Sequence, residues 1–266
     1  MSHLAQSLLT SWALKSPEKP VNILDLCTGT GCIPLLLHHE LHKDPKLGYN
    51  IGQIVGADVS LRALQLAKEN KVVQLHEMSG MSESPILESL RNVQFIQADV
   101  LEDPGGPTGI LAKLQEIGHA TPTFDVLVSN PPYISSSAFR TTTAASVRRY
   151  EPKLALVPPQ TANGNHAQDG DLFYPKLYNI ASLLKSKVVL FEVADMEQAC
   201  RVAAMANERW RTVEIWRDDP VATTCETEYA EVGCDRRPRI RVRGVGNGRS
   251  VVAFTAEGEQ WRGHTG

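Results

Sequence analysis

The chain has 266 residues, 42% hydrophobic and 21% charged, with a formal net charge of -3. That is the composition of a globular protein with one large domain, or one plus an appendage. No apolar run approaches the length of a membrane span, and the mild acidity argues against a general nucleic-acid binder. The five cysteines (Cys27, Cys32, Cys200, Cys225 and Cys234) are odd in number and scattered. They point to reduced thiols of an intracellular protein rather than a disulfide framework, and they give no spacing for a metal site.

In chain order, residues 2–15 place Leu4, Leu8, Leu9 and Trp12 on one helical stripe, with Ser2 as a cap. Residues 21–26 read as a buried strand running directly into Cys27-Thr28-Gly29-Thr30-Gly31 and a helix from 32 to about 42. Two glycines let the backbone approach a ligand closely, and a helix start offers free N–H groups. The turn is therefore a ligand cradle or simply a tight turn. Pro34 stands where a dinucleotide fingerprint has its third glycine, which argues against NAD or FAD. A polar loop over 43–50 leads to a strand over 54–59 that contains Asp58, then an amphipathic helix over 60–75. A carboxylate at that strand end suits the two hydroxyls of a ribose; the alternative is a helix cap, a job for which Ser60 competes. A looser insertion over 78–85 precedes a strand over 93–99. Its final residue, Asp99, suits the exocyclic amine of a base. Residues 103–107 form a turn and 110–117 a short helix. The order β-α-β-α-β-α-β predicts a doubly wound parallel sheet with right-handed crossovers.

Residues 124–128 form the next buried strand and lead into Ser129-Asn130-Pro131-Pro132-Tyr133. Two consecutive prolines end the ladder, because neither has an N–H to donate, and each holds the residue before it extended. The loop presents an amide side chain, carbonyls and an aromatic ring at the carboxyl end of a strand, where open α/β sheets bind ligands. That set suits a planar group carrying an NH2. Asn130 and the Pro131 carbonyl would accept its two hydrogens, with Tyr133 on its face. A proline-rich turn is the plainer alternative. Residues 135–168 are polar with little periodicity, as a substrate lid or a partly disordered stretch would be. A helix over 172–184, a strand over 187–193, a helix from 196 to about 209 and strands over 212–216 and 250–254 complete the pattern. In Arg237–Arg243 the arginines alternate with Ile240 and Val242. The segment reads as a solvated hairpin arm, with RNA or ribosome contact as a further reading. Residues 258–266 read as a flexible tail.

Asp25-Leu26-Cys27-Thr28-Gly29-Thr30-Gly31-Cys32, Asp58, Asp99 and Asn130-Pro131-Pro132-Tyr133, in this order, resemble the HemK/PrmC-like glutamine N5-methyltransferases. Tyr150-Glu151-Pro152 with Ala155-Leu156 extends the likeness. The resemblance implies an α/β, doubly wound, mostly parallel seven-stranded sheet with the last strand antiparallel. The methyltransferase domain would span residues 1–257, with the basic arm over about 219–248. It implies S-adenosylmethionine as cofactor: Cys27, Thr28, Gly29, Thr30 and Gly31 cradle its methionine part, Asp58 its ribose, and Asp99 with Val100 its adenine. Asn130 also borders the cofactor, and Asn130, Pro131, Pro132 and Tyr133 form the catalytic loop. The implied substrate is the glutamine of the Gly-Gly-Gln motif in a class I peptide-chain release factor, and the implied compartment is bacterial cytoplasm or the mitochondrial matrix.

Two departures from the family pattern stand out. Cys27 replaces a usual glycine, and the family's N-terminal helical domain and its Pro-Arg-x-Glu-Thr segment are expected to be absent. Three alternatives stay open. The acceptor could be a ribosomal-protein glutamine or an exocyclic base amine. The chain could be an inactive cofactor-binding scaffold, or a nucleotide-binding oxidoreductase that leaves the Asn-Pro-Pro-Tyr loop without a use.

Overall fold

A computed structural model describes residues 20–42, 51–78, 85–119, 122–159, 170–222, 227–234 and 237–262. The helix expected over 2–15 and the loop over 43–50 lie outside them. Five parallel strands form one half of the sheet: β1 (Val21–Leu26), β2 (Ile51–Asp58), β3 (Gln94–Gln97), β4 (Val126–Ser129) and β5 (Val188–Glu192). Their spatial order is β3-β2-β1-β4-β5. The chain therefore winds outward from β1 in one direction, then reverses and starts again at β4. The crossovers carry α1 (Cys32–His42), α2 (Leu61–Met78), α3 (Pro85–Arg91) and α4 (Ile110–Glu116). After β4 come three short helices, α5 (Ser136–Thr141), α6 (Ala145–Tyr150) and α7 (Lys153–Leu156), then α8 (Phe173–Leu183) and, after β5, α9 (Met196–Ala204).

The apolar runs predicted as strands are buried on both faces, which is why they show no alternation of polarity. Leu24, Leu26, Leu127, Val189 and Phe191 pack on one side with Tyr174, Leu177 and Val202 of α8 and α9. Ile23, Val126, Val128, Val188 and Leu190 pack on the other with Leu35 and Leu37 of α1 and Leu64 of α2. Helices thus cover both sides of the parallel half, as the order of elements predicts.

The other half departs from expectation. β6 (Thr212–Asp219) and β9 (Val245–Phe254) are antiparallel neighbours, with β9 inserted between β5 and β6. This completes the expected seven strands, but the sheet continues. β8 (Arg237–Arg243) pairs with β6 in parallel, and β7 (Glu228–Cys234) pairs with β8 antiparallel. Among the described residues the sheet therefore has nine strands, in the order β3-β2-β1-β4-β5-β9-β6-β8-β7.

The predicted solvated arm is a docked hairpin. Ile240 and Val242 are buried in the main core, and Arg243 turns inward to Glu214 and Trp216. The predicted tail is also docked in its first part: a 3-10 turn, Gly258–Trp261, buries Trp261 against the sheet. The segment read as irregular over 135–168 holds α5, α6 and α7 in its described part. α9 ends at Ala204, short of the predicted 209, and β9 begins at Val245 rather than 250. No helix among the described residues is long and apolar enough to cross a membrane.

Candidate active site

The reversal of winding falls between β1 and β4, and the loops leaving the carboxyl ends of these strands flank the position where open α/β sheets place their ligand crevice. Leu26 and Ser129 stand in register at this point, and the Ser129 hydroxyl donates to the Leu26 carbonyl at 2.7 Å. The two site loops, residues 27–31 and 130–133, thus begin side by side.

The first loop has an alternating backbone. Cys27, Gly29 and Gly31 have φ of 60°, 55° and 76°, so left-handed residues alternate with Thr28 and Thr30. The two glycines differ in what they allow. A Cβ on Gly31 would lie 2.7 Å from the Phe95 ring, so that glycine serves packing. A Cβ on Gly29 would meet nothing within 4 Å, so that position faces open space where a ligand could approach the backbone. Cys27 adopts the left-handed conformation without being glycine, a strained state of the kind that collects at functional sites. Its thiol is pushed up by burial, then by the negative charges of Asp58, Asp25 and Asp99, with the Ser129 hydroxyl opposing.

Asp58, at the end of β2, accepts from the Gly29 N–H through Oδ2 at 2.8 Å and from the Ser60 N–H through Oδ1 at 2.8 Å. The Ser60 hydroxyl takes the Ala63 N–H, so the side-chain cap of α2 belongs to Ser60 and Asp58 ties the glycine turn to β2. Each carboxylate oxygen retains a lone pair for a further donor. Beyond β3, the Ala98 N–H donates to the Asp58 carbonyl at 3.1 Å. Asp99 folds back through Oδ1 onto the Leu101 N–H at 2.9 Å, and Val100 is buried behind it. Beneath the turn lies Asp25, which was part of the motif but had no assigned role. Its Oδ2 accepts the Thr28 hydroxyl at 2.5 Å, it is fully buried, and its Oδ1 has no partner among the described residues.

The second loop is held from behind. Pro131 and Pro132 are buried, while Asn130 is half-buried. The Asn130 side chain has no hydrogen-bond partner among the described residues, which leaves its amide oxygen available as an acceptor. The Tyr133 hydroxyl donates to Glu192 Oε1 at 3.2 Å, and the ring packs partly on the core. Burial, and then the negative charge of Glu192, push that phenol up to about 12. Burial also raises the Glu192 carboxyl, with the Tyr133 bond opposing. The Tyr174 hydroxyl donates to the Glu192 carbonyl at 2.8 Å, fixing the strand end that receives Tyr133. Glu192, Tyr174 and the residues around them escape sequence reading, because each sits on an ordinary apolar strand or helix whose partner lies far along the chain.

S-adenosylmethionine fits these residues. Its methionine part carries a net positive charge, and the open space over Gly29 lies on a turn tied to the Asp58 carboxylate. The ribose hydroxyls would find spare acceptors on Asp58, and Asp99 with Val100 would border the base. Asn130 stands on the neighbouring loop, at the mouth of the same crevice.

The sequence model of the family described as N-6 DNA Methylase matches residues 3–194. The chain is 31% identical over 192 residues to the probable MRF1 mitochondrial N(5)-glutamine methyltransferase mtq1 of Schizosaccharomyces pombe, covering 71% of this chain and 53% of that protein. It is 30% identical over 224 residues to the release factor glutamine methyltransferase of Chlorobaculum tepidum, covering 82% of this chain and 60% of that one. It is also 32% identical over 169 residues to the ribosomal protein uL3 glutamine methyltransferase of Neisseria gonorrhoeae, covering 64% and 41%. The chain thus spans between about half and three fifths of the first two relatives. With the glycine turn, the acidic strand ends and the Asn-Pro-Pro-Tyr loop gathered at one crevice, the chain belongs to the N-6 DNA methylase family and stands among its HemK/PrmC-like members.

Proposed function

We propose that this chain is an S-adenosylmethionine-dependent methyltransferase acting on the side-chain amide nitrogen of glutamine, in the Gly-Gly-Gln motif of a class I peptide-chain release factor. The observation that carries this reading is the meeting of two loops at the β1–β4 reversal. One is shaped to approach a cationic cofactor, and the other presents acceptors with no N–H beside them. Relatives named for release-factor glutamine support the choice of acceptor.

An amide nitrogen is a poor nucleophile, because its lone pair is delocalised into the carbonyl. The bound cofactor supplies a methyl group already activated on a sulfonium. The chain's work is then alignment with water excluded. Residues 27–31 hold the methionine part, Asp58 the ribose, and Asp99 with Val100 the base. Asn130 Oδ1 and the Pro131 carbonyl accept the two amide hydrogens and favour the positive charge that grows on nitrogen as the new bond forms. Pro132 stiffens the loop, and Tyr133 flanks the planar amide. A strong base is not required, because the proton leaves after transfer.

The ribosomal protein uL3 relative supports a second acceptor of the same chemistry, a ribosomal-protein glutamine. RNA contact by Arg237–Arg243 finds less support. Arg243 is turned inward to Glu214, and Arg239 faces Glu231 at 3.6 Å. The mitochondrial names of two yeast relatives support a mitochondrial setting if the source is eukaryotic.

The test is mass spectrometry of a class I release factor, a Gly-Gly-Gln peptide and uL3 after incubation with the protein and labelled cofactor. One added methyl on the Gly-Gly-Gln glutamine is the expected result. A protein that binds cofactor yet leaves that glutamine unmodified in both release factor and peptide would overturn the reading.

A further inference from the structure

We infer that Gln198, braced by Asp171 and Arg201, is a positioning residue that aims the Asn-Pro-Pro-Tyr loop; the kinetic part of this inference rests on the methyl-transfer reading above. The need arises from the loop's own chemistry. Two consecutive prolines remove two N–H donors from its middle, so the loop relies more on its carbonyls and side chains to be held. The Tyr133 carbonyl is held by Gln198, whose Nε2 donates to it at 3.2 Å.

Gln198 lies in the first turn of α9 and is 3% exposed. Its Oε1 accepts from the Ala194 N–H at 2.8 Å, and its Nε2 also donates to Asp171 Oδ1 at 2.9 Å. A backbone N–H can only donate, and a carbonyl and a carboxylate here accept, so these neighbours fix which way the amide faces. Its backbone is fixed too, because its N–H donates to the capping carboxylate of Asp195 at 2.8 Å. Arg201 grips Asp171 with two bonds, at 2.6 and 3.1 Å.

Gly170 fits this assembly closely. A Cβ there would come within 2.4 Å of the Tyr133 carbonyl oxygen and 3.0 Å of Gln198 Nε2. The Tyr133 hydroxyl on Glu192 and the Ile134 N–H on the Leu156 carbonyl, at 2.9 Å, complete the hold on the loop's far end. One buried amide therefore joins α9, the 170–171 turn and the loop that carries Asn130. Gln198, Asp171 and Arg201 reach the loop at the Tyr133 carbonyl and make no bond to Asn130, so their effect passes through loop geometry.

Gln198→Leu keeps a side chain of similar volume and removes all three bonds. A misplacement of about 1 Å at reacting atoms costs about 100-fold in rate. The expected kcat on a Gly-Gly-Gln peptide therefore falls about 100-fold, with peptide KM and cofactor Kd changed by no more than about threefold, because the cradle belongs to other strands. A second readout needs no substrate. Amide exchange at Ile134 should rise about tenfold or more, while exchange at Thr28, bonded to the Ala57 carbonyl, stays unchanged. Arg201→Met serves if the leucine variant does not fold. It keeps the aliphatic stem at a partly exposed site, and both readouts should move the same way by about threefold.

Parent kcat together with parent Ile134 exchange in either folded variant overturns the inference. If the parent protein itself transfers no methyl to either the peptide or a release factor, the functional proposal falls. The Ile134 exchange then decides the clamp alone: a rise supports it and no change overturns it.

Discussion

Asp25, Asp58 and Asp99 carry the same side chain in one crevice, and their surroundings give them different work. Asp58 spends one lone pair of each oxygen on the backbone and keeps capacity for hydroxyl donors, whereas Asp25 is sealed below with one oxygen unpartnered. Burial raises the Asp25 carboxyl to about 8; the Thr28 hydrogen bond opposes this, and the Asp58 charge adds to it. The folded protein then keeps a proton that the unfolded chain releases near its ordinary carboxylate value. Stability contributed by this group is present in acid and is lost as pH rises towards the folded value. We predict that Asp25→Asn flattens that slope: calorimetry between about pH 5 and pH 8 should show the variant's Tm falling less than the parent's as pH rises. Equal slopes in the two proteins would place the titration elsewhere. Asn130 is tested by rate rather than stability. Asn130→Ala should lower methyl transfer by about 10²–10³ and leave cofactor Kd nearly unchanged, since one acceptor for growing positive charge is gone. Asn130→Asp keeps an acceptor and the shape, so it should retain more activity than the alanine variant. Equal loss in both would assign Asn130 to holding the loop instead.

The hairpin β7–β8 and the Gly258–Trp261 turn are fastened to the sheet at one carboxylate. Glu214 on β6 is fully buried and accepts from the Trp216 indole at 2.9 Å, from Arg243 at 3.3 Å and from Arg262. Arg243, only 7% exposed, also lies over the Trp216 ring at 5.0 Å. Removing one member leaves buried charge without compensation, so Glu214→Ala should cost about 3–5 kcal/mol in urea unfolding. A loss under 1 kcal/mol would mean that water already reaches the cluster. This arrangement explains what was legible beforehand. β1, β2, β4 and β5 read correctly because strands buried on both faces must be apolar throughout. The arm read as solvated because alternating arginines ordinarily face water, and the partner that draws Arg243 inward lies on another strand. α3, α5, α6 and α7 are too short for a helical period to emerge from composition. Trp261 looked like part of a loose tail because its pocket is assembled from distant residues. At the site, the motifs located both loops, but the bonds that hold them (Glu192 to Tyr133, Gln198 to Tyr133) join segments with no local signal.

At the scale of the molecule, the two halves of the sheet divide the labour. The parallel half carries the crevice, and the β9-β6-β8-β7 half carries no predicted site residue. α9 packs on β6, β7 and β9 and carries Gln198. Ile240 of β8 is buried in the core on the same side of the sheet as α9. Ile240→Ala should therefore cost about 2–5 kcal/mol of stability while cofactor Kd stays within about twofold, because the cradle is built from β1, β2 and β3. Titration calorimetry on the folded variant checks this, and a large loss of affinity would show that the sheet transmits strain across its full width.

Cys27 gives the crevice a chemical reporter. Burial and the nearby Asp58 charge keep its half-buried thiol protonated at neutral pH, so alkylating reagents attack it slowly. A molecule lodged over Gly29 would shield it further. Cys32, at the start of α1, is exposed and reacts in the same sample as an internal standard. The ratio of alkylation at the two thiols, read from the proteolytic fragment that contains both, becomes a gauge of occupancy requiring neither methyl acceptor nor isotope.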